Sequence, residues 1–262
     1  MPTLPVKDLQ MYFREQGAPA APAVVLIHGN VSSSAWWEYT FARFQDSPYR
    51  LIAPDLRGRG HTTGPDDSWT IETLADDVHQ LLTALGVGRV HLVGHSLGGT
   101  VAIQYALDHT PNVSSLYLIA PGWVKGDMPA AVGDPARIKM LVENKALLKM
   151  ALRATASAHP DDGWAFFEAA SLLQTDAASL RSPQALFAWN VYDRLGGLAG
   201  IPTTVSRGAG DVIVPESVVM DSVNGIPGAK YEVFEGATHS PNIETPDAFA
   251  ASLRRHLDAA HA

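Results

Sequence analysis

The chain has 262 residues, of which 46% are hydrophobic, 18% charged and 8% aromatic, enough to bury a large core and too apolar for a disordered chain. Its 19 basic and 27 acidic residues leave a formal net charge of -8, which argues against nonspecific binding to nucleic acid or anionic membrane, since both need clustered Lys and Arg. With no cysteine, a disulfide framework, a thiolate nucleophile, Cys-ligated zinc and iron-sulfur clusters are excluded.

The amino terminus, Met1 to Asp8, lacks a basic stretch followed by an apolar run, and no apolar segment approaches the roughly 20 residues that span a bilayer. A soluble, cytoplasmic protein is expected, with the oligomeric state open. Apolar runs of strand length follow in order: Val24 to Ile27, Arg50 to Ala53, Val90 to Val93, Leu116 to Ala120, Thr203 to Ser206 and Tyr231 to Phe234. They lack apolar/polar alternation, as strands covered on both faces do, although so short a run does not by itself exclude buried helix. Between Thr70 and Gly86, Ile71, Leu74, Ala75, Val78, Leu81, Leu82 and Leu85 follow helical spacing, with Thr70 as cap and Gly86 as the left-handed stop. Near the end, Thr245 is the expected cap of a helix with Pro246 in its first turn and Phe249, Leu253 and Leu257 on one face.

Alternating strands and helices predict a mostly parallel sheet flanked by helices, with ligands beyond the carboxyl ends of the strands. The middle departs from that order. From Gly122 to about Leu198 the patterns are helical and no strand is evident. Residues 1–121 and 199–262 are therefore expected to form the core, and 122–198 a helical insertion over the sheet edge.

Directly after the strand at Val90 to Val93 comes Gly94-His95-Ser96-Leu97-Gly98-Gly99, then a helix. A G-x-S-x-G turn between strand and helix forces its serine into a strained, exposed conformation, and its glycines admit close approach of strand and helix. Ser96 is the candidate nucleophile. Leu97 offers a backbone N–H at a helix amino terminus, where negative charge is favoured. Thr100 stands where a phosphate loop needs Lys, and Gly58-Arg59-Gly60 lacks the third glycine of a dinucleotide fingerprint. A serine needs a base, and the base a carboxylate to hold its tautomer. Asp211, in Gly208-Ala209-Gly210-Asp211, and His239, in Gly236-Ala237-Thr238-His239, both follow strands. Asp127 and Asp193 flank the insertion and compete as acids, but neither sits in a G-x-x-D turn.

With the elbow, His28-Gly29-Asn30, Asp55 to Gly60, Gly208 to Pro215 and Gly236 to His239 in this order, the chain resembles the α/β-hydrolase fold superfamily, in its serine-nucleophile, carboxylesterase-like branch, from about Met11 to the last helix. The resemblance implies the triad Ser96, Asp211 and His239, an oxyanion hole from the backbone N–H groups of Asn30 and Leu97, and a cap domain at 122–198. His28-Gly29-Asn30 also resembles haloalkane dehalogenases, but those need an aspartate nucleophile. A serine that attacked an alkyl carbon would be left as a stable ether, so Ser96 argues for acyl chemistry. The Asn30 side chain lines the pocket or holds its own loop.

Trp123 and Val124 follow a strand near Ser96 and are the expected substrate contacts. Trp36 and Trp37 follow the oxyanion loop, at the pocket edge or buried in the sheet. Met140, Met150, Phe166, Phe187 and the other large apolar residues of the insertion are read mostly as the cap's own core. His28 and His95 read as framework and His91 as a hydrogen-bonded sheet residue. His61, His79, His109, His159, His256 and His261 read as loop or helix surface, and the pairs Asp66-Asp67, Asp76-Asp77 and Asp161-Asp162 as solvated. No metal-ligand spacing occurs and no cofactor is expected. The expected function is hydrolysis of small to medium apolar carboxylic esters, through an acyl-enzyme, with a small-molecule ester as partner. Alternatives on the same fold are a lactonase, amidase, carbon-carbon bond hydrolase or perhydrolase, a cofactor-free lyase, and a hydrolase-like ligand receptor.

Overall fold

The protein is described here by a computed structural model over residues 3–65, 67–129 and 134–261. Met1, Pro2 and Asp66 lie outside the described residues, as does the side chain of His261. Eight strands form one sheet: β1 (Thr3–Val6), β2 (Leu9–Gln16), β3 (Ala23–Ile27), β4 (Arg50–Pro54), β5 (Val90–His95), β6 (Val113–Ile119), β7 (Thr203–Gly208) and β8 (Lys230–Phe234). Their order across the sheet is β1-β2-β4-β3-β5-β6-β7-β8. The pairs β1·β2 and β2·β4 are antiparallel and every other pair is parallel. All six expected strands are present. The two amino-terminal strands were not legible in the sequence, because β1 is short and β2 carries Gln10, Arg14, Glu15 and Gln16 among its buried positions.

Helices cover both faces. On one side α2 (Ile71–Ala84) and α3 (Leu97–Asp108) pack through Leu74, Val78, Leu81 and Val101, joined by α8 (Glu216–Gly225) through Val218 and Val219. On the other, α1 (Glu38–Arg43) and α10 (Pro246–His261) bury Phe41, Phe249, Leu253 and Leu257 against Val24, Leu26 and Val93. Strands β3, β4 and β5 are buried at every position, which is why their sequences show no alternation.

Helix α2 begins and ends as its sequence predicts. Thr70 Oγ1 accepts from the Thr73 N–H at 3.1 Å, and Gly86 takes a φ of 67°. Thr245 departs from expectation: its hydroxyl is donated back to the Pro241 carbonyl of the short helix α9 (Pro241–Glu244), and only its carbonyl serves α10, accepting from Phe249 N–H. The preceding helix captured the side chain that was expected to cap the next one.

Between β6 and β7 the described residues form α4 (Pro135–Glu143), α5 (Lys145–Ala154), α6 (Trp164–Ser171) and α7 (Asp176–Ala188), with no strand among them. Asp134, Asn144 and Thr175 cap α4, α5 and α7 through their side chains. Several residues of this segment were misjudged as its core. Met140, Met150, Phe166 and Phe187 are exposed, and the apolar interior is supplied by Ile138, Leu152, Trp164 and Phe167. Conversely, His159 is buried, stacked on Tyr39 with Nε2 3.2 Å from the tyrosine hydroxyl. Asp77 is fully buried rather than solvated, paired with both sides of the Arg57 guanidinium at 2.9 and 3.0 Å. No helix among the described residues is long and apolar enough to cross a membrane.

Candidate active site

The sheet order brings the first two candidate loops together. Strands β3 and β5 are parallel neighbours, with Ile27 opposite Gly94, so the chain leaves both at the same edge, where β3 gives way to neighbours on either side. The loop after β3 carries Asn30 and the turn after β5 carries Ser96. Ser96 stands at φ 53° and ψ -117°, a conformation few non-glycine residues adopt and one that surrounding structure must hold. Its N–H is donated to Ile119 O at 2.8 Å, and its carbonyl accepts from Gly99 and Thr100 at 2.9 and 3.2 Å. A Cβ on Gly98 would lie 2.1 Å from Ile27 O, and one on Gly94 would lie 2.3 Å from Gly98 O, so strand and helix meet only through glycine. Because α3 starts at Leu97, the Leu97 N–H has no partner within the helix.

Strands β7 and β8 are likewise parallel neighbours, Gly208 opposite Phe234, and their loops bring Asp211 and His239 into contact. His239 Nδ1 lies 2.8 Å from Asp211 Oδ2. The other carboxylate oxygen accepts from the N–H groups of Ile213 and Val214 at 2.8 and 3.1 Å. Burial alone would raise the Asp211 pKa, but the facing His239 and these N–H donors hold it below the ordinary carboxylate value. With Asp211 ionised, the short contact is a hydrogen bond from His239 Nδ1–H to its carboxylate, which turns Nε2 away from Asp211. His95 clamps the same loop. Its Nε2–H is donated to the His239 carbonyl at 2.9 Å, and burial, with the neighbouring His239, lowers its pKa to about 3, so it stays neutral.

The loop after β3, which carries Asn30, is held from below. His28 Nδ1–H is donated to Gly29 O at 2.8 Å and Nε2 accepts from Leu56 N–H at 3.0 Å. Burial and then the charge of Arg59 bring its pKa to about 3, so it is a neutral brace and not a base. Asp55 accepts from the N–H groups of Ser34 at 2.6 Å and His61 at 2.8 Å. Its burial raises its pKa despite those donors. Val31 is held at φ 49°, strained for a β-branched residue.

Arg59, read from the sequence only as part of a turn, is the side chain that reasoning missed. It is fully buried, with donors reaching Asn30 Oδ1 at 2.7 Å, Ser182 Oγ at 2.5 Å, and the carbonyls of Arg57 and Ala178 at 3.3 and 3.4 Å. Its guanidinium lies 5.1 Å from the Trp69 ring. Burial pulls its pKa down to about 9, which leaves it charged at neutral pH. No motif announces this role, because Asn30 and Ser182 are remote from it in sequence.

A cavity of about 290 Å³ opens above these loops, lined by Ser96, His239, His95 and Asn30 and, from the helical segment, by Trp123, Met128, Ile138, Leu148, Leu152 and Leu186. Of the two expected contacts, Trp123 lines it. Val124 does not: it is buried in the core, its carbonyl accepting from Val191 N–H at 2.9 Å. Trp36 sits at the cavity edge, whereas Trp37 is buried against Phe249. Asn30 both lines the cavity and ties its loop to Arg59. The rival acids Asp127 and Asp193 are exposed and do not line it. Among the described residues, no group of three or more His, Asp or Glu side chains could hold a metal ion.

Known proteins resemble this chain over most of its length. Residues 22–246 match the family model described as the alpha/beta hydrolase fold. The non-heme chloroperoxidase CPO-A1 of Kitasatospora aureofaciens is 30% identical over 91% of this chain and 92% of its own. An uncharacterized protein of Mycobacterium tuberculosis is 29% identical over 98% of this chain and 82% of its own. Among solved structures, an esterase from Exiguobacterium antarcticum superposes with a TM-score of 0.88 at 23% identity, covering 97% of both chains, which shows a common fold. The sheet order, the strained serine turn and the family match over most of its length agree: this chain belongs to the alpha/beta hydrolase fold family.

Proposed function

We propose that the protein is a serine hydrolase that cleaves small to medium, largely apolar carboxylic esters through an acyl-enzyme. The observation that carries this reading is the Asp211–His239 pair, 2.8 Å apart, with its histidine lining the same cavity as Ser96. Ser96 Oγ attacks the carbonyl carbon while His239 Nε2 takes its proton. The tetrahedral oxyanion accepts from the N–H groups of Asn30 and Leu97, each such donor supplying about 2.7 to 4 kcal/mol in comparable sites. His239 then protonates the leaving alcohol. Water, deprotonated by His239, attacks the acyl-enzyme and releases the acid. Residues 122–198 act as the cap, residues 1–121 and 199–262 as the catalytic core, and the cavity size and its apolar walls favour a compact acyl chain. The chemistry requires no cofactor or metal.

A p-nitrophenyl ester series of increasing acyl length, run on wild type and Ser96→Ala together, tests this. The expected result is turnover by wild type, a maximum at short to medium chains, and loss of at least about 10⁴-fold in the variant. Equal rates for the two proteins would refute the serine mechanism. The chloroperoxidase relative motivates one second reading, in which hydrogen peroxide replaces water at the acyl-enzyme and a peracid leaves. Peroxide-dependent halogenation in the presence of a carboxylic acid would support it, and its absence would exclude it.

A further inference from the structure

Asp211 holds the His239 ring at Nδ1, which leaves the ring free to pivot about a single hydrogen bond unless the backbone that carries it is also fixed. His95 fixes the carbonyl of that residue. The N–H groups on either side, of Thr238 and Ser240, are both donated to one oxygen of Glu244, Oε2, at 2.8 and 3.0 Å. The other oxygen, Oε1, accepts from the Thr238 hydroxyl at 2.5 Å and from the Ala158 N–H at 2.8 Å. Glu244 is the last residue of α9, so the helix that follows the histidine returns its side chain to the histidine's own loop. Hydrogen bonds to a carboxylate are roughly twice as strong as those between neutral groups, and a carboxylate offers acceptors on both oxygens with no donor among them.

We propose that Glu244 is a positioning residue for His239, gripping the chain on both sides of the base and tying it to the helical segment. Three bonds make that tie. Ala158 N–H reaches Glu244 itself, Ser157 N–H is donated to Thr238 Oγ1 at 3.2 Å, and Ser240 Oγ–H is donated to the Thr155 carbonyl at 2.7 Å. These partners lie just beyond α5, and Thr155 lines the cavity together with Leu148, Ala151 and Leu152. The segment that walls the cavity therefore shares its bonds with the loop that carries the base. Transfer of a proton from Ser96 and then to the leaving group requires His239 Nε2 at one place, and a misplacement of about 1 Å can cost about 10²-fold in rate. The inference rests on the serine-hydrolase reading above and adds a residue to its machinery that touches neither substrate nor the reacting atoms.

The test is the steady-state hydrolysis of p-nitrophenyl butyrate by wild type, Glu244→Leu, Glu244→Gln and Ser96→Ala, each held well below its Tm. Glu244→Leu should lower kcat and kcat/KM together by about 10²-fold and leave KM within about twofold, because His239 serves both acylation and deacylation. A purely stabilising role would lower Tm and leave the kcat of the folded protein unmoved. Glu244→Gln keeps one oxygen that can still bridge the Thr238 and Ser240 N–H groups, with its NH2 toward Ala158, and should recover at least about fivefold of the loss. A kcat loss below about tenfold in Glu244→Leu, a change confined to KM, or a smaller recovery in Glu244→Gln overturns the assignment and leaves the serine mechanism standing. If Glu244→Leu does not fold, Glu244→Asp decides: one methylene shorter, it reaches the two N–H groups only by drawing their loop with it, so kcat should fall about tenfold at constant KM. A kcat within about twofold of wild type in Glu244→Asp would then overturn the assignment. If Ser96→Ala hydrolyses the ester as wild type does, or wild type does not hydrolyse it, the serine-hydrolase reading falls and the role of Glu244 with it.

Discussion

Lowering the pH from about 7.5 to about 5.5 should destabilise this protein through two histidines that take no part in proton transfer. His28 and His95 are buried, and their pKa values fall from 6.5 to about 3, burial being the leading cause for each. The unfolded chain binds protons at these sites below about pH 6.5 while the folded protein does not, so stability is full above that value and is lost as pH falls toward the folded pKa. At about pH 5.5 each unfolded imidazole is about nine-tenths protonated and each folded one remains neutral, which removes about 1.4 kcal/mol per residue and about 3 kcal/mol for the pair. That magnitude barely depends on the folded pKa, since anything well below about 5 gives the same result. His256, lowered to about 4 by burial and then by Lys230, acts in the same direction. Asp55 acts oppositely, because burial raises its pKa and favours proton uptake by the folded state. Urea denaturation at the two pH values measures the sum, and His95→Gln isolates one contribution, since glutamine keeps a donor for the His239 carbonyl but does not titrate. The difference should shrink by about 1.4 kcal/mol in that variant. An undiminished pH difference in His95→Gln would refute the assignment of His95 as a neutral brace.

Asp211→Asn should leave the fold intact and lower kcat by about 10⁴-fold, because the amide no longer keeps the proton of His239 on Nδ1; burst and steady-state ester kinetics check this, and a loss below about tenfold would remove Asp211 from the mechanism. Gly98→Ala should destabilise by about 1 to 3 kcal/mol or more, since the new methyl would lie 2.1 Å from the Ile27 carbonyl and 2.6 Å from that of His28. An unchanged Tm in Gly98→Ala would show that β3 and α3 have room to separate.

The parts of this site legible in the sequence are those whose geometry is local. Gly94 to Gly98 announces a strained serine because the turn, the strand before it and the helix after it are contiguous. Asp211 and His239 were found by order and by their position after strands, since parallel strands deliver their following loops to one edge. What escaped depends on partners distant along the chain. Asp77 looked solvated as one of two adjacent aspartates, yet Arg57, 20 residues earlier, draws it into the core. Arg59 looked like a turn residue, yet it reaches 29 residues back to Asn30 and 123 residues forward to Ser182. His159 was assigned to the surface because a lone histidine in a helical segment carries no pattern, and only the aromatic neighbours Tyr39, Trp164 and Phe167 make it interior.

These long-range contacts share a physical logic that bears on how the loop after β3 is kept in shape. Val31 holds an unfavourable φ of 49°, and such strain persists only where surrounding structure over-determines it. The constraints come from separate directions: Asp55 accepts from Ser34 beyond the strained residue, His28 is bonded on both ring nitrogens before it, and Arg59 grips Asn30 beside it. Arg59 alone among these also reaches the helical segment, through Ser182 and the Ala178 carbonyl, and backbone bonds from Gly60 to Leu173 and from Thr175 to Gly58 stitch the same two regions together. A buried cation whose partners are neutral oxygens is expensive to hold unless all of them stay in place. Displacing α7 would therefore strand the Arg59 charge and release Asn30 together, so α7 and the loop that carries Asn30 are mechanically one unit.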